Sequence, residues 1–219
     1  MIERILPAGV ACAEAFSDPP GTVLFPEEEA LLVRAVERRR REFATARDCA
    51  RRALAALGVT PRPILRGERG DPQWPPGFVG SITHCTGYRA AAVARASDVL
   101  TIGLDAEPSG SLPEGVLRLV SRPAEQAMVR HLATAVPGIC WDRLLFSAKE
   151  SVYKAWFPLT RRWLDFTDAD IAIDPADGTF HAHLLIDSPV AGLRPRTGFT
   201  GRWLAEQGLI LTAVTVPAE

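Results

Sequence analysis

Two short stretches of this chain carry side chains whose types and spacing suit phosphate chemistry. One is Gly103-Leu104-Asp105-Ala106-Glu107; the other is Phe146-Ser147-Ala148-Lys149-Glu150-Ser151-Val152-Tyr153-Lys154. The apolar, β-branched run Val99-Leu100-Thr101-Ile102 ahead of the first reads as a buried strand. Side chains alternate along a strand, so Asp105 and Glu107 leave it on the same face. The second stretch lies in a segment, residues 141–157, whose composition and length predict a helix that Pro158 ends. Positions four apart share a helix face, which projects Glu150 and Lys154 together. Where that face meets the strand end, three carboxylates and a lysine converge. Hard oxygen donors of this kind suit Mg²⁺, which keeps its other positions for water and phosphate oxygens. Each half alone is also the ordinary pattern of a solvated strand end or a surface ion pair, the latter worth about 0.3–0.5 kcal/mol.

The elements that must position these residues follow a simple order. A strand is predicted near residues 9–16. Pro26-Glu27-Glu28-Glu29 then opens a helical pattern that runs to Leu57 as two helices, with Gly58 as the stop. The Pro-, Gly- and charge-rich segment 60–77 is a loop. Strands are predicted at 78–83, 88–96 and 99–104, and short helices at 113–120 and 123–133 ahead of the motif helix. Four further strands, 171–173, 179–185, 198–204 and 209–216, contain hairpin turns at Asp177-Gly178 and Gln207-Gly208. The order predicts an α+β protein built from two similar α/β halves, residues 1–104 and 105–219.

Composition narrows the class. At 219 residues the chain is long enough for one large domain or two small ones. A hydrophobic fraction of 47% with 23% charged residues is that of a soluble globular protein. A net charge of −1 argues against wholesale binding of nucleic acid or a membrane surface. Positive charge nonetheless crowds one early segment, at residues 38–41, Arg47, Arg51 and Arg52. The four cysteines are widely spaced, with no Cys-x-x-Cys, so a reduced, cytoplasmic protein is expected. The first ten residues lack the basic run and apolar core of a signal peptide, and no apolar run reaches membrane-spanning length.

The sequence Ile102-Gly103-Leu104-Asp105-Ala106-Glu107, followed about forty residues later by Phe146 through Lys154, resembles the two signatures of the 4′-phosphopantetheinyl transferases. Within that family it is most similar to the longer, monomeric type that activates polyketide and non-ribosomal peptide carrier proteins. The resemblance implies two halves related by a pseudo-twofold axis, with the active site in the cleft between them. It implies a reaction in which a carrier-protein serine attacks the β-phosphate of coenzyme A and adenosine 3′,5′-bisphosphate leaves. The implied metal ligands are Asp105, Glu107 and Glu150, for Mg²⁺ or Mn²⁺; the position between the first two acids varies in the family and is Ala106 here. Glu150 is also the implied base, and Lys154 the cation that stabilises the departing bisphosphate. Lys149 is expected at the phosphates or flanking them.

Further expectations concern coenzyme A. In Gly80-Ser81-Ile82-Thr83-His84-Cys85 the family carries Ser-x-x-His as a phosphate contact, placing Ser81, Thr83 and His84 at the end of a strand where it turns. Arg66 matches a position often occupied by lysine, while Arg39 and Arg47 match basic residues used around the 3′-phosphate. Tyr153 and Trp163 are candidates for an apolar wall along the pantetheine arm, with core packing as their alternative. The partner is an acidic, helical carrier protein, for which residues 112–122 (Leu117, Leu119 and Val120 with Arg118 and Arg122) have a suitable apolar and basic composition. A Mg²⁺-dependent hydrolase of a nucleotide pyrophosphate would need the same acids and lysine, and is the second reading. A non-catalytic binding module, the third, would leave the acids without a purpose.

Overall fold

Small side chains decide how the first part of the molecule packs. The computed structural model describes residues 1–186 and 197–218. In it, strands β1 (Ala11–Ala15), β2 (Phe78–Cys85) and β3 (Tyr88–Arg95) form an antiparallel sheet in the order β1-β3-β2. The central strand is nearly all alanine and valine between its ends, a low surface on which a helix can lie close. Helix α2 (Glu37–Ala56) lays Cys49, Ala50, Ala53 and Leu54 there, against Ala13, Ala91, Val93 and Ile64. Burying a side chain the size of Leu54 is worth about 2 kcal/mol.

The helical stretch ahead of α2 is broken, as its sequence predicts. Pro26 sits in the first turn of the short helix α1 (Pro26–Glu29), which runs into a 3₁₀ turn, Ala30–Leu32. Glu28 is fully buried, yet each demand on its carboxylate is met. It accepts from Arg51 Nη1 at 2.8 Å, from the Ile64 N–H at 2.9 Å and from the Phe25 N–H at 3.0 Å.

The chain divides into two compact units, Met1–Ile102 with the residues from Pro217 onward, and Gly103–Val216. Strand β4 (Val99–Pro108) runs from the first into the second, where it joins β5 (Ala169–Asp174), β6 (Thr179–Leu184), β7 (Gly198–Glu206) and β8 (Leu209–Pro217) in the order β4-β8-β7-β6-β5. Helices α3 (Val116–Val120), α4 (Pro123–Ala135) and α5 (Trp141–Thr160) complete that unit. The two sheets and five helices are the mixed α and β architecture that the element order predicts. Gln207 and Gly208 both have positive φ, at 52° and 75°, which suits the tight turn joining β7 to β8.

Two differences in element boundaries bear on the site. β4 continues through Pro108, so Asp105 and Glu107 lie within the strand rather than beyond its end. α5 does not stop at Pro158 but runs to Thr160. A proline in the last turn gives up only its own N–H bond, and the helix resumes with Arg161 N–H donating to Phe157 O at 2.8 Å. Arg161, at φ 55°, is the left-handed residue that ends it.

Candidate active site

In the second unit β4 and α5 touch backbone to backbone. A Cβ at Gly103 would lie 1.9 Å from Ser151 O and 2.7 Å from Ala155 N, so only glycine allows this approach. Two residues along β4 comes Asp105, and one residue before Ser151 comes Glu150. The contact therefore brings the two sequence motifs together. Asp105 is buried, and its Oδ1 accepts from Lys154 Nζ at 2.7 Å. Its other oxygen, Oδ2, is buried with no hydrogen-bond partner among the described residues. Glu107, on the same face of β4, accepts from Arg143 Nη1 at 2.9 Å.

Electrostatics bind the three acids into one group. Burial raises the Glu150 carboxyl above its ordinary range; Lys154 opposes this, while Asp105 and Glu107 push it further up. Glu107 is raised by burial and by Asp105, against the pull of Arg143. The carboxylates thus feel one another, but they do not form the tight cluster expected from the sequence. Among the described residues no three His, Cys, Asp or Glu side chains converge closely enough to hold a metal ion. Like charges repel, and here Asp105 and Glu107 are each drawn to a different cation, Lys154 and Arg143. The donor set still has the chemistry a hard divalent cation requires, with the unshared buried oxygen of Asp105 at its centre.

Lys149 flanks the acids and lines the same cavity as Glu150 and Tyr153. It is buried, and its three protons go to Glu125 Oε1 at 2.8 Å, Phe166 O at 2.6 Å and Ala169 O at 2.8 Å. With all three protons so engaged, its ammonium acts first as the counter-charge of Glu125. Glu125 also accepts from the Arg122 and Ile171 N–H groups. Lys149→Met should therefore destabilise the fold by about 3–5 kcal/mol, since it leaves the Glu125 charge buried without its cation. The midpoint of urea unfolding checks this.

Tyr153 and Trp163 do meet, with ring centroids 5.1 Å apart. Together with Glu150, Val152, Leu164 and Phe166 they line a cavity of about 120 Å³. Trp163 is 62% exposed, so core packing does not explain it.

The first unit holds a separate cationic cluster. Arg39 and Arg47 stand two turns apart on α2, and Phe43 lies midway between them. The Arg47 guanidinium lies 4.3 Å and that of Arg66 5.3 Å from the centre of the Phe43 ring. Arg47 is buried, and its Nε donates to Ile64 O at 2.8 Å. Burial lowers it to about 10; Arg66, Arg51 and Arg39 act in the same direction and Glu28 against it. It remains a cation at neutral pH. Arg66 is likewise lowered, by burial and by Arg39. Cations held together despite mutual repulsion make a site for a multiply charged anion.

His84 joins this cluster, its Nε2 in contact with Arg39 Nη1. It lies within β2, opposite Arg89, rather than in the turn beyond. Ser81 and Thr83 do not join it. Strand alternation turns both to the opposite face of β2, where they are buried.

Sequence reasoning missed two residues. Phe43 is four residues from both Arg39 and Arg47, a spacing that marks a shared face. Arg143 precedes Glu150 by seven residues, two turns earlier on the face that also carries Lys154. Each was legible in the periodicity of its helix.

A cluster of cations in the first unit, and acids with a lysine in the second, are each a kind of group that phosphate chemistry uses. Comparison with known proteins makes this specific. Residues 27–94 match the 4′-phosphopantetheinyl transferase N-terminal domain, and residues 101–193 match the 4′-phosphopantetheinyl transferase superfamily. The chain is 54% identical over 221 residues to the 4′-phosphopantetheinyl transferase Svp of Streptomyces mobaraensis, covering all of this chain and 90% of that protein. It is 50% identical over 225 residues to PptT of Mycobacterium tuberculosis, covering 99% and 98% of the two chains. Enterobactin synthase component D of Salmonella typhimurium is 34% identical over 128 residues, covering 56% of this chain and 50% of that protein. The chain belongs to the 4′-phosphopantetheinyl transferase superfamily: it is an enzyme that transfers the phosphopantetheine group of coenzyme A to carrier proteins.

Proposed function

We propose that this transferase loads the acyl and peptidyl carrier proteins of polyketide and non-ribosomal peptide synthases, with Mg²⁺ as its cofactor. The observation that carries this reading is the convergence of Asp105, Glu150 and Lys154 where Gly103 lets β4 meet α5. The carrier serine oxygen bonds to the β-phosphorus of coenzyme A as the bond to the α-phosphate oxygen breaks. Adenosine 3′,5′-bisphosphate departs with that electron pair. Glu150 accepts the serine proton, and Lys154 exchanges part of its hold on Asp105 for the charge growing on the leaving group. Asp105, Glu107 and Glu150 would hold Mg²⁺, or Mn²⁺, whose chemistry when bound is to neutralise the pyrophosphate.

In the first unit Arg39, Arg47, Arg66 and His84 take the phosphates of the nucleotide end, the 3′-phosphate foremost. Tyr153 and Trp163 line the path of the pantetheine arm. Arg47→Ala should raise the KM for coenzyme A about tenfold and leave that for carrier protein unchanged, as steady-state kinetics with each substrate varied will test. The acidic carrier docks on residues 112–122, where Leu119 is 76% exposed beside Arg118. The double variant Arg118→Glu, Arg122→Glu should raise the carrier KM about tenfold through repulsion while sparing coenzyme A. A cytoplasmic monomer completes the reading. The four free cysteines fit a reducing compartment, and the monomer rests on the resemblance to the longer type of transferase.

The test is the intact mass of an apo carrier protein incubated with this enzyme, coenzyme A and Mg²⁺. A gain of one phosphopantetheine group that chelator abolishes supports the whole reading. Release of adenosine bisphosphate with no gain on any carrier would point instead to a hydrolase of coenzyme A.

A further inference from the structure

Arg143, in the first turn of α5, is the most heavily engaged side chain near the acids, and the transfer chemistry does not use it. All three of its nitrogens are bound. Nη1 donates to Glu107 Oε2 at 2.9 Å, Nε to Gly110 O at 3.0 Å and Nη2 to Ser111 O at 3.0 Å. The neighbouring Asp142 adds a fourth tie, its Oδ2 accepting from the Leu112 N–H at 2.8 Å. The segment so held, Gly110-Ser111-Leu112, links β4 to the exposed apolar and basic face on which the carrier docks under the reading above. Without these ties it would be an ordinary surface loop leaving a strand end, free to move on the nanosecond scale.

We propose that Arg143 is a positioning residue that latches this loop to α5, and so fixes the carrier-docking face relative to the acids that act on the carrier serine. The inference rests on the docking assignment made above. A guanidinium is needed because the three acceptors are met by three separate nitrogens of one planar fork; an ammonium offers its three protons from a single atom, so in that place it keeps the ion pair with Glu107 and loses the two carbonyls. The latch and the ion pair are therefore separable by substitution.

Arg143→Lys and Arg143→Ala test this, with kinetics and hydrogen exchange measured on the full-length enzyme. In Arg143→Lys, the Leu112 amide, whose bond to Asp142 depends on the loop staying in place, should exchange at least about tenfold faster while those of central α5 stay protected. Its carrier KM should rise about tenfold, with the KM for coenzyme A unchanged. Arg143→Ala should show the same rise in carrier KM together with a fall in kcat, since Glu107 is released as well. Asp142→Ala removes the acceptor of the Leu112 N–H itself, so it should speed exchange at that amide at least as much, while the carrier KM rises by a smaller factor because the two carbonyl ties remain. Faster exchange with an unchanged carrier KM would overturn the proposal, because the latch would then be purely structural. So would a carrier KM that rises in Arg143→Lys without any change in exchange. The docking assignment fails separately: the Arg118, Arg122 double variant would then bind carrier normally while Arg143→Lys does not.

Discussion

Asp105→Ala should lower the rate of carrier loading about a thousandfold, an effect of about 4 kcal/mol on the barrier. The expectation follows from what each oxygen does. Oδ1 is the partner of Lys154 Nζ, and Oδ2 is buried without a partner among the described residues. An unmet buried acceptor costs about 1–3 kcal/mol; Asp18, Asp71 and Asp170 also carry one such oxygen, so what suits Asp105 to the proposed ligand role is its place beside Lys154 and two further acids. Losing Asp105 removes that position and also the anchor that points Lys154 at the site. Folding should be little affected, since the Lys154 side chain is 28% exposed and its released charge reaches water. The thermal unfolding midpoint reports that, single-turnover loading followed by intact mass reports the rate, and Mn²⁺ binding followed by electron spin resonance reports the ligand role. Wild-type turnover with Mg²⁺ in the Asp105→Ala variant would remove Asp105 from the site. Glu150→Ala, which removes the proposed base, should cost about as much.

Those residues could be found in the sequence because local rules govern them. Alternation along β4 put Asp105 and Glu107 on one face, and the helical repeat put Glu150 and Lys154 on another. Both placements survive even though β4 runs longer than expected and α5 passes through Pro158. What local rules do not carry is the partner of each charge. Lys149 sits in the same run as Glu150, and its position in the motif gave no sign that Glu125, from α4, would claim it. The helical repeat places Arg143 on the face of Glu150, but its carbonyl partners come only from the loop after Glu107. Ser81 and Thr83 were grouped with His84 by the motif, yet the period of two along a strand already separates 81 and 83 from 84. A strand thus divides the motif between two faces, with His84 on the face that meets Arg39 and Ser81 and Thr83 on the other.

Gly103→Ala is the second large effect, and it tests the spacing between β4 and α5 rather than any functional group. The added Cβ would meet Ser151 O at 1.9 Å and Ala155 N at 2.7 Å, both backbone atoms that no rotamer change can move, with Ala155 Cβ at 3.0 Å. Ordinary contact needs about 3.5 Å, so strand and helix must separate by about 1 Å or more. Overpacking of this kind costs about 1–3 kcal/mol of stability, measurable as a lower denaturant midpoint. The rate should suffer more, because Asp105 and Lys154 stand on opposite sides of the widened contact and a displacement of about 1 Å can cost a hundredfold in a positioned reaction. Coenzyme A affinity, which we assign to the Arg39, Arg47 and Arg66 cluster, should stay near wild type, which separates a misplaced site from a damaged fold. Adding Ala155→Gly should not restore the rate, since it relieves only the mildest of the three contacts. If Gly103→Ala loads carrier within about twofold of wild type, the separation of β4 and α5 does not control how the acids and the lysine act together.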